Sequence, residues 1–278
     1  MKFSIKDLDD SKAPLLEHLI ELRTRLLRAF FALAIAFGIC LYFADDIFAI
    51  LVRPLASAFP AGEGRLIYTK LYEAFFVNMK VALFAAFFVS FPVIANQLWA
   101  FIAPGLYAKE KKAFLPFLIA TPVLFMAGAS LAYFIVMPTA FKWFLGFEGT
   151  VSGIPQEALP AMGDYLDLVM RFIFAFGISF LLPVLLLLLN RAGIVTHDQL
   201  SAARRYIIVL VFIVAAIITP PDVISQLMLA IPLLILFEGS MLIMKFGDRK
   251  KAAEAEAEAA QDGEGTAIVP ADGIDTPQ

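Results

Sequence analysis

Long apolar runs separated by short polar stretches set the pattern of this chain. Pro14 to Arg28 places Leu15, Leu16, Leu19, Leu22, Leu26 and Leu27 near helical spacing, with Glu17, His18, Glu21, Arg25 and Arg28 on other faces. That pattern predicts an amphipathic helix lying at a membrane interface before the chain turns inward. Apolar spans follow at about Leu26 to Phe43, Phe75 to Leu98, Phe114 to Met137 and Leu168 to Leu189, each long enough for the hydrocarbon core. Lys80 and Arg171 stand near outer ends, where long side chains snorkel, and Pro92 predicts a kink. The fifth run, Tyr206 to Ile218, has only thirteen residues, and the TPPD turn from Thr219 to Asp222 breaks it from a sixth, Val223 to Met244. This last pair reads either as two short spans or as one re-entrant hairpin.

Between the spans lie Ala44 to Glu73, a polar loop expected to carry short helical pieces, and Pro138 to Asp167, a second loop rich in Gly and Pro. Trp99 to Lys112, WAFIAPGLYAKEKK, is a polar hinge in which Pro104 and Gly105 are expected to stop the helix. The chain divides into an N-terminal cytoplasmic segment (1–25), a six-helix membrane domain (26–245) and an acidic tail (246–278) with too little apolar surface to fold alone. No secretory leader is expected, because charged residues precede the first apolar run.

Composition changes the picture only by excluding alternatives. With 61% apolar and 17% charged residues among 278, and a mean hydropathy of +0.83, the chain is no ordinary soluble domain. The net charge of −3 names no partner, and nothing suggests nucleic acid, but the distribution of charge is informative. Sixteen Lys and Arg fall on the N-terminal side of the membrane against six on the other. This bias sets both termini in the cytoplasm and favours two short spans for the last pair. A single cysteine, Cys40, leaves no intramolecular disulfide.

Catalysis finds little support. His18 and His197 are the only histidines, no Gly-rich Lys loop of the nucleotide-binding type occurs, and no cofactor is expected. The carboxylates Glu17, Glu21 and Glu110 are more suggestive, since a ligand carrying adjacent arginines needs such acceptors. The alternatives are that Glu21 pairs with Arg25 one turn on and that Glu110 balances Lys109, Lys111 and Lys112. Phe101 reads equally as an interfacial anchor. Within the membrane, Tyr133, Gln226 and Glu238 are the polar groups that need a partner helix or a cavity, although Glu238, seven residues before Lys245, also reads as interfacial, and Asp222 is placed to cap the sixth helix.

PLLEHLIELRTRL, WAFIAPGLYAKEKK, AYFIVMP (Ala132 to Pro138) and TPPDVISQLMLAIP (Thr219 to Pro232) occur in one order, and together they resemble the TatC family of twin-arginine translocases over roughly residues 14 to 247. The resemblance implies an all-α integral membrane protein of the bacterial inner membrane with six transmembrane helices, the last two short. It implies a non-enzymatic receptor for the twin-arginine signal peptides of folded cargo, driven by the proton-motive force. Its expected partners are the single-span TatA and TatB subunits and further copies of itself. Glu21 and Glu110 match the acidic residues of the signal-peptide site, Arg23 a basic position of the N-terminal motif and Phe101 the hinge aromatic. Pro54, Tyr133, Asp222 and Gln226 fall on positions that resemble sensitive sites for partner helices or transport. One departure stands out: many family members carry a glutamate where this chain has Leu181, in Phe180-Leu181-Leu182-Pro183, so that role does not carry over. The rival reading from residue chemistry is a proton-coupled small-solute transporter, which needs an ionisable group near mid-membrane.

Overall fold

A computed structural model describes residues 6–60, 64–106, 111–191, 193–219 and 222–264. Six helices are long and apolar enough to cross a membrane, over His18–Tyr42, Glu73–Phe101, Phe117–Leu145, Met162–Arg191, His197–Ile218 and Val223–Gly247. The last pair forms two separate helices of 22 and 25 residues, each long enough to cross on its own and the second as long as the first span, so the fifth span exceeds the thirteen-residue run read from the sequence.

Helix α1 runs unbroken from Lys6 to Tyr42, so the amphipathic segment and the first span are one rod. α2 (Ala44–Ala56) is the helical piece expected in the first loop. α3 (Glu73–Leu106) packs antiparallel to α1 through small residues: Ala36 and Cys40 of α1, with Ala44 at the start of α2, meet Ala82 and Ala86. Two apolar helices gain no hydrophobic energy against each other in lipid, so close approach by small side chains is what holds them. The pair defines two rims. His18 and Phe101 mark the near rim. Asp45 and Asn78, hydrogen-bonded at 2.8 Å, mark the far rim.

α3 continues through Pro104 and Gly105 to Leu106, past the stop expected from the sequence. A proline in a last turn removes one hydrogen bond without ending the helix. Residues 107–110 of the hinge lie outside the described residues. α4 (Lys111–Leu131) passes through a single wide turn of π type (Ala132–Val136) into α5 (Met137–Leu145). The second loop holds a β-hairpin not anticipated from the sequence, β1 (Gly149–Val151) against β2 (Ile154–Gln156), turned at Ser152 (φ 53°) and Gly153 (φ 82°). Two successive left-handed residues give the tight turn that suits the twist of a two-residue hairpin.

The fourth span is split into α6 (Met162–Ser179) and α7 (Leu182–Arg191). Pro183 lacks the N–H that would bond residue 179, and the Leu181 N–H turns instead to Ile178 O at 3.0 Å, which tightens the turn at the break. α8 (His197–Ile218) begins well before its apolar run, because Thr196 and Gln199 form a reciprocal capping box. α9 starts at Val223 and continues to Glu264, so part of the stretch read as a disordered tail is helical. Its AAEAEAEAA repeat consists of strong helix formers. The main core gathers Leu166, Phe172 and Phe176 of α6 with Met137 of α5 and Leu229 of α9. Beside it lies an aromatic cluster in which Phe91 and Phe125 stack at 3.9 Å.

Candidate functional site

The near rim brings two of the expected residues together through a third. The His18 ring lies flat on Phe101 with centroids 4.3 Å apart, tying the start of the first span to the end of α3. Glu21, one turn along α1, places Oε2 3.8 Å from His18 Nδ1. Arg25 donates to Oε1 alone, from Nε at 2.9 Å and Nη2 at 2.5 Å. The helix-internal Glu21–Arg25 pair is therefore real, yet it uses only one carboxylate oxygen. His18 carried no distinguishing signal as a lone histidine; its spacing from Glu21 on one helix face was legible, but its contact with Phe101 was not. Arg23 is exposed, two residues from Glu21 and hence on a different face of α1. Glu110 lies outside the described residues.

Toward the far rim, Pro54 and Tyr133 form a second constellation. Pro54 sits inside α2 and is buried. Having no N–H, it deprives the Ile50 carbonyl of its in-helix donor. Tyr133 supplies the replacement, its hydroxyl donating to Ile50 O at 2.6 Å. Tyr165 donates to the next carbonyl, Leu51 O, at 2.7 Å. Tyr133 lies in the π turn, a local widening that shifts the helical phase where this side chain reaches α2. A backbone carbonyl left without a donor is costly where water is excluded, and the two tyrosines clasp α2 onto the bundle. Tyr133→Phe is expected to lower stability by about 1–3 kcal/mol. The same change in a Pro54→Ala background, where position 54 regains an N–H for Ile50, should cost clearly less. Unfolding of the detergent-solubilised protein as a double-mutant cycle checks this, and strictly additive losses would contradict it.

Asp222 and Gln226 stand together at the start of α9. Asp222 Oδ1 accepts the Ser225 N–H at 2.7 Å, the cap expected from the sequence, and Gln226 Nε2 donates to Phe212 O of α8 at 3.1 Å. Asp222 Oδ2 and Ser225 Oγ are both buried with no partner among the described residues. Glu238 is joined to Arg204 of α8 at 3.1 Å, so an ion pair in addition to proximity to the rim accounts for it. Leu181 packs against the cluster of Phe91, Ala95 and Phe125, an apolar neighbourhood consistent with its departure from glutamate.

A family model described as Sec-independent protein translocase protein (TatC) matches residues 17–232. The TatC protein of Magnetococcus marinus is 47% identical over 252 residues, 91% of each chain. That of Escherichia coli is 38% identical over 233 residues, covering 84% of this chain and 88% of its own. A crystal structure described as the twin arginine translocase receptor TatC superposes with a TM-score of 0.71 at 41% identity, covering 82% of this chain and 99% of that one. Six apolar helices in this order, matched in sequence along nearly the whole membrane part and in three dimensions, leave one assignment. The chain belongs to the TatC family, as a multi-pass inner-membrane component of a Sec-independent protein translocase.

Proposed function

We propose that this translocase component is the receptor for twin-arginine signal peptides, with its near rim and both termini in the cytoplasm. Glu21 and Glu110 accept the two guanidinium groups, Phe101 packs beside them, and Arg23 flanks the site on the N-terminal motif. The observation that carries the reading is the half-used carboxylate of Glu21. With Arg25 confined to Oε1, Oε2 remains for a second donor next to the aromatic shelf of His18 and Phe101. A planar guanidinium can meet such an oxygen and lie against a ring at once, which an ammonium cannot do. The excess of Lys and Arg on the near side supports the orientation.

In this reading α8 and α9 dock the single-span TatA and TatB subunits, with Tyr133, Pro54, Asp222 and Gln226 holding or completing the docking region. The half-satisfied Asp222 supports a polar contact there. Several copies assemble, and the proton-motive force drives passage without any chemical catalysis by this chain. Binding of a fluorescent signal peptide to the purified protein tests the core of the proposal. Changing Arg-Arg to Lys-Lys in the peptide is expected to weaken binding by about tenfold or more, the loss of one good charge-assisted pair. Unchanged affinity would rule out recognition by carboxylates.

A further inference from the structure

At the far rim, on the opposite side from the near-rim site and independent of how that site is read, α3 and α6 enclose a polar cavity of about 350 Å³. Lys70, Tyr72, Glu73, Lys80, Asp164 and Asp167 line it. Its charged groups divide into three kinds. Glu73 is spent on the backbone: its carboxylate accepts from Gly163 N at 2.8 Å, Thr69 N at 2.7 Å and Lys70 N at 3.3 Å, which staples the two loops together. Lys80 and Asp167 pair at 2.8 Å across the floor. Lys70 and Asp164 have no side-chain hydrogen bond or ion pair among the described residues. The Lys70 Nζ lies over the Tyr72 ring, 6.0 Å from its centroid, so the cavity offers one cation and one anion without an opposite charge among the described residues.

The floor carries the second observation. Lys80 lies two helical turns beyond Glu73, roughly 10 Å along α3 into the span. Both partners of its ion pair are nevertheless close to half exposed, at 48% and 42%. Charges so placed need polar surroundings, which a headgroup drawn down over them supplies where snorkelling alone would leave them at the edge of the hydrocarbon. The outer lip is apolar, with Leu71 and Phe76 exposed beside the opening, so the occupant has a polar head and a hydrocarbon body.

We propose that this cavity is a binding site for a zwitterionic phospholipid with a primary-amine headgroup, an ethanolamine glycerophospholipid. The phosphate meets Lys70 and screens Lys80, the ammonium donates to Asp164 and the outer oxygen of Asp167, and the acyl chains run along Phe76. An anionic lipid matches only the lysines and places its charge against three carboxylates. A choline lipid brings the phosphate but an ammonium without N–H donors.

The full-length protein, delipidated in detergent, is to be titrated with dioleoyl phosphatidylethanolamine, phosphatidylglycerol and phosphatidylcholine, with bound lipid counted by native mass spectrometry. The ethanolamine lipid is expected to bind at least about fivefold more tightly than either of the others. Lys70→Gln and Asp164→Asn, both at exposed positions, are each expected to reduce its affinity, and the double substitution by about tenfold, with thermal unfolding in lipid-free detergent unchanged. Equal binding of the three lipids, preference for phosphatidylglycerol, or undiminished ethanolamine-lipid binding by the double variant would overturn the proposal. A photoreactive side chain at Tyr72 that captures protein in place of lipid in native membranes would overturn it as well.

Discussion

Gly128→Ala is expected to remove most folded protein from the membrane. A Cβ at this position on α4 would fall against the backbone carbonyl of Phe176 and within 2.8 Å of the Phe180 ring. The obstacle on one side is main chain, which no rotamer change can move. The facing surface repeats the arrangement: a Cβ at Gly177 on α6 would meet the Phe125 ring at 2.7 Å. Phe125 and Phe176 are completely buried, so neither can swing into free space. Parting the helices would forfeit contacts along the aromatic cluster and the main core together. Overpacking a close helix crossing costs about 1–3 kcal/mol or more, a large share of marginal stability. Gly177→Ala presses on a ring rather than on backbone, and its loss should be smaller. Membrane abundance and unfolding temperature in detergent check the order: near-normal levels of Gly128→Ala would show that the two helices are not locked at this crossing.

The spans and their sequence were legible because hydrocarbon imposes a length and an apolarity that composition reveals directly. Asp222 was legible as a cap for the same local reason, since Asp followed three residues later by an orphan N–H is a near-neighbour pattern. The Thr196 and Gln199 capping box is an equally local pattern, but it lies in a polar stretch a helical turn or more before the apolar run that marks the span. The break at Phe180 and Leu181 was encoded in Pro183, yet prolines elsewhere, as at Pro104, leave helices intact, so the residue alone does not decide. What the sequence could not yield were pairings across the bundle. Tyr133 with the carbonyl freed by Pro54, His18 against Phe101, and Lys80 with Asp167 join residues up to 87 positions apart. Such contacts depend on helix phase and crossing angle, quantities that periodicity fixes only within one helix.

Charge reversal at Glu110 carries the other large expectation. Glu110→Lys would leave four consecutive lysines at positions 109 to 112, where one carboxylate now interrupts them. In the proposed receptor a guanidinium approaching the wild-type hinge would gain a charge-assisted hydrogen bond worth about 1.5–3 kcal/mol. Facing the reversed charge at contact distance it loses that bond and meets repulsion of order 4 kcal/mol at a surface-like dielectric, reduced further by salt. Even after screening, the combined change corresponds to at least about a hundredfold weaker binding of a twin-arginine peptide. Export of a folded reporter should fall below detection, while the variant inserts and unfolds like the wild type, because position 110 lies in a polar stretch of sequence between the apolar spans. Glu110→Gln keeps an acceptor without the charge and is expected to fall between the two. Glu21→Lys adds a discriminating comparison: it also cancels the pair with Arg25, so two cations on one face of α1 then repel each other and any incoming arginine. If the two carboxylates serve one leader, reversing both should impair export no more than the stronger single reversal, once binding is already lost. Robust export by Glu110→Lys would separate the hinge from recognition altogether and leave Glu21, His18 and Phe101 as the site.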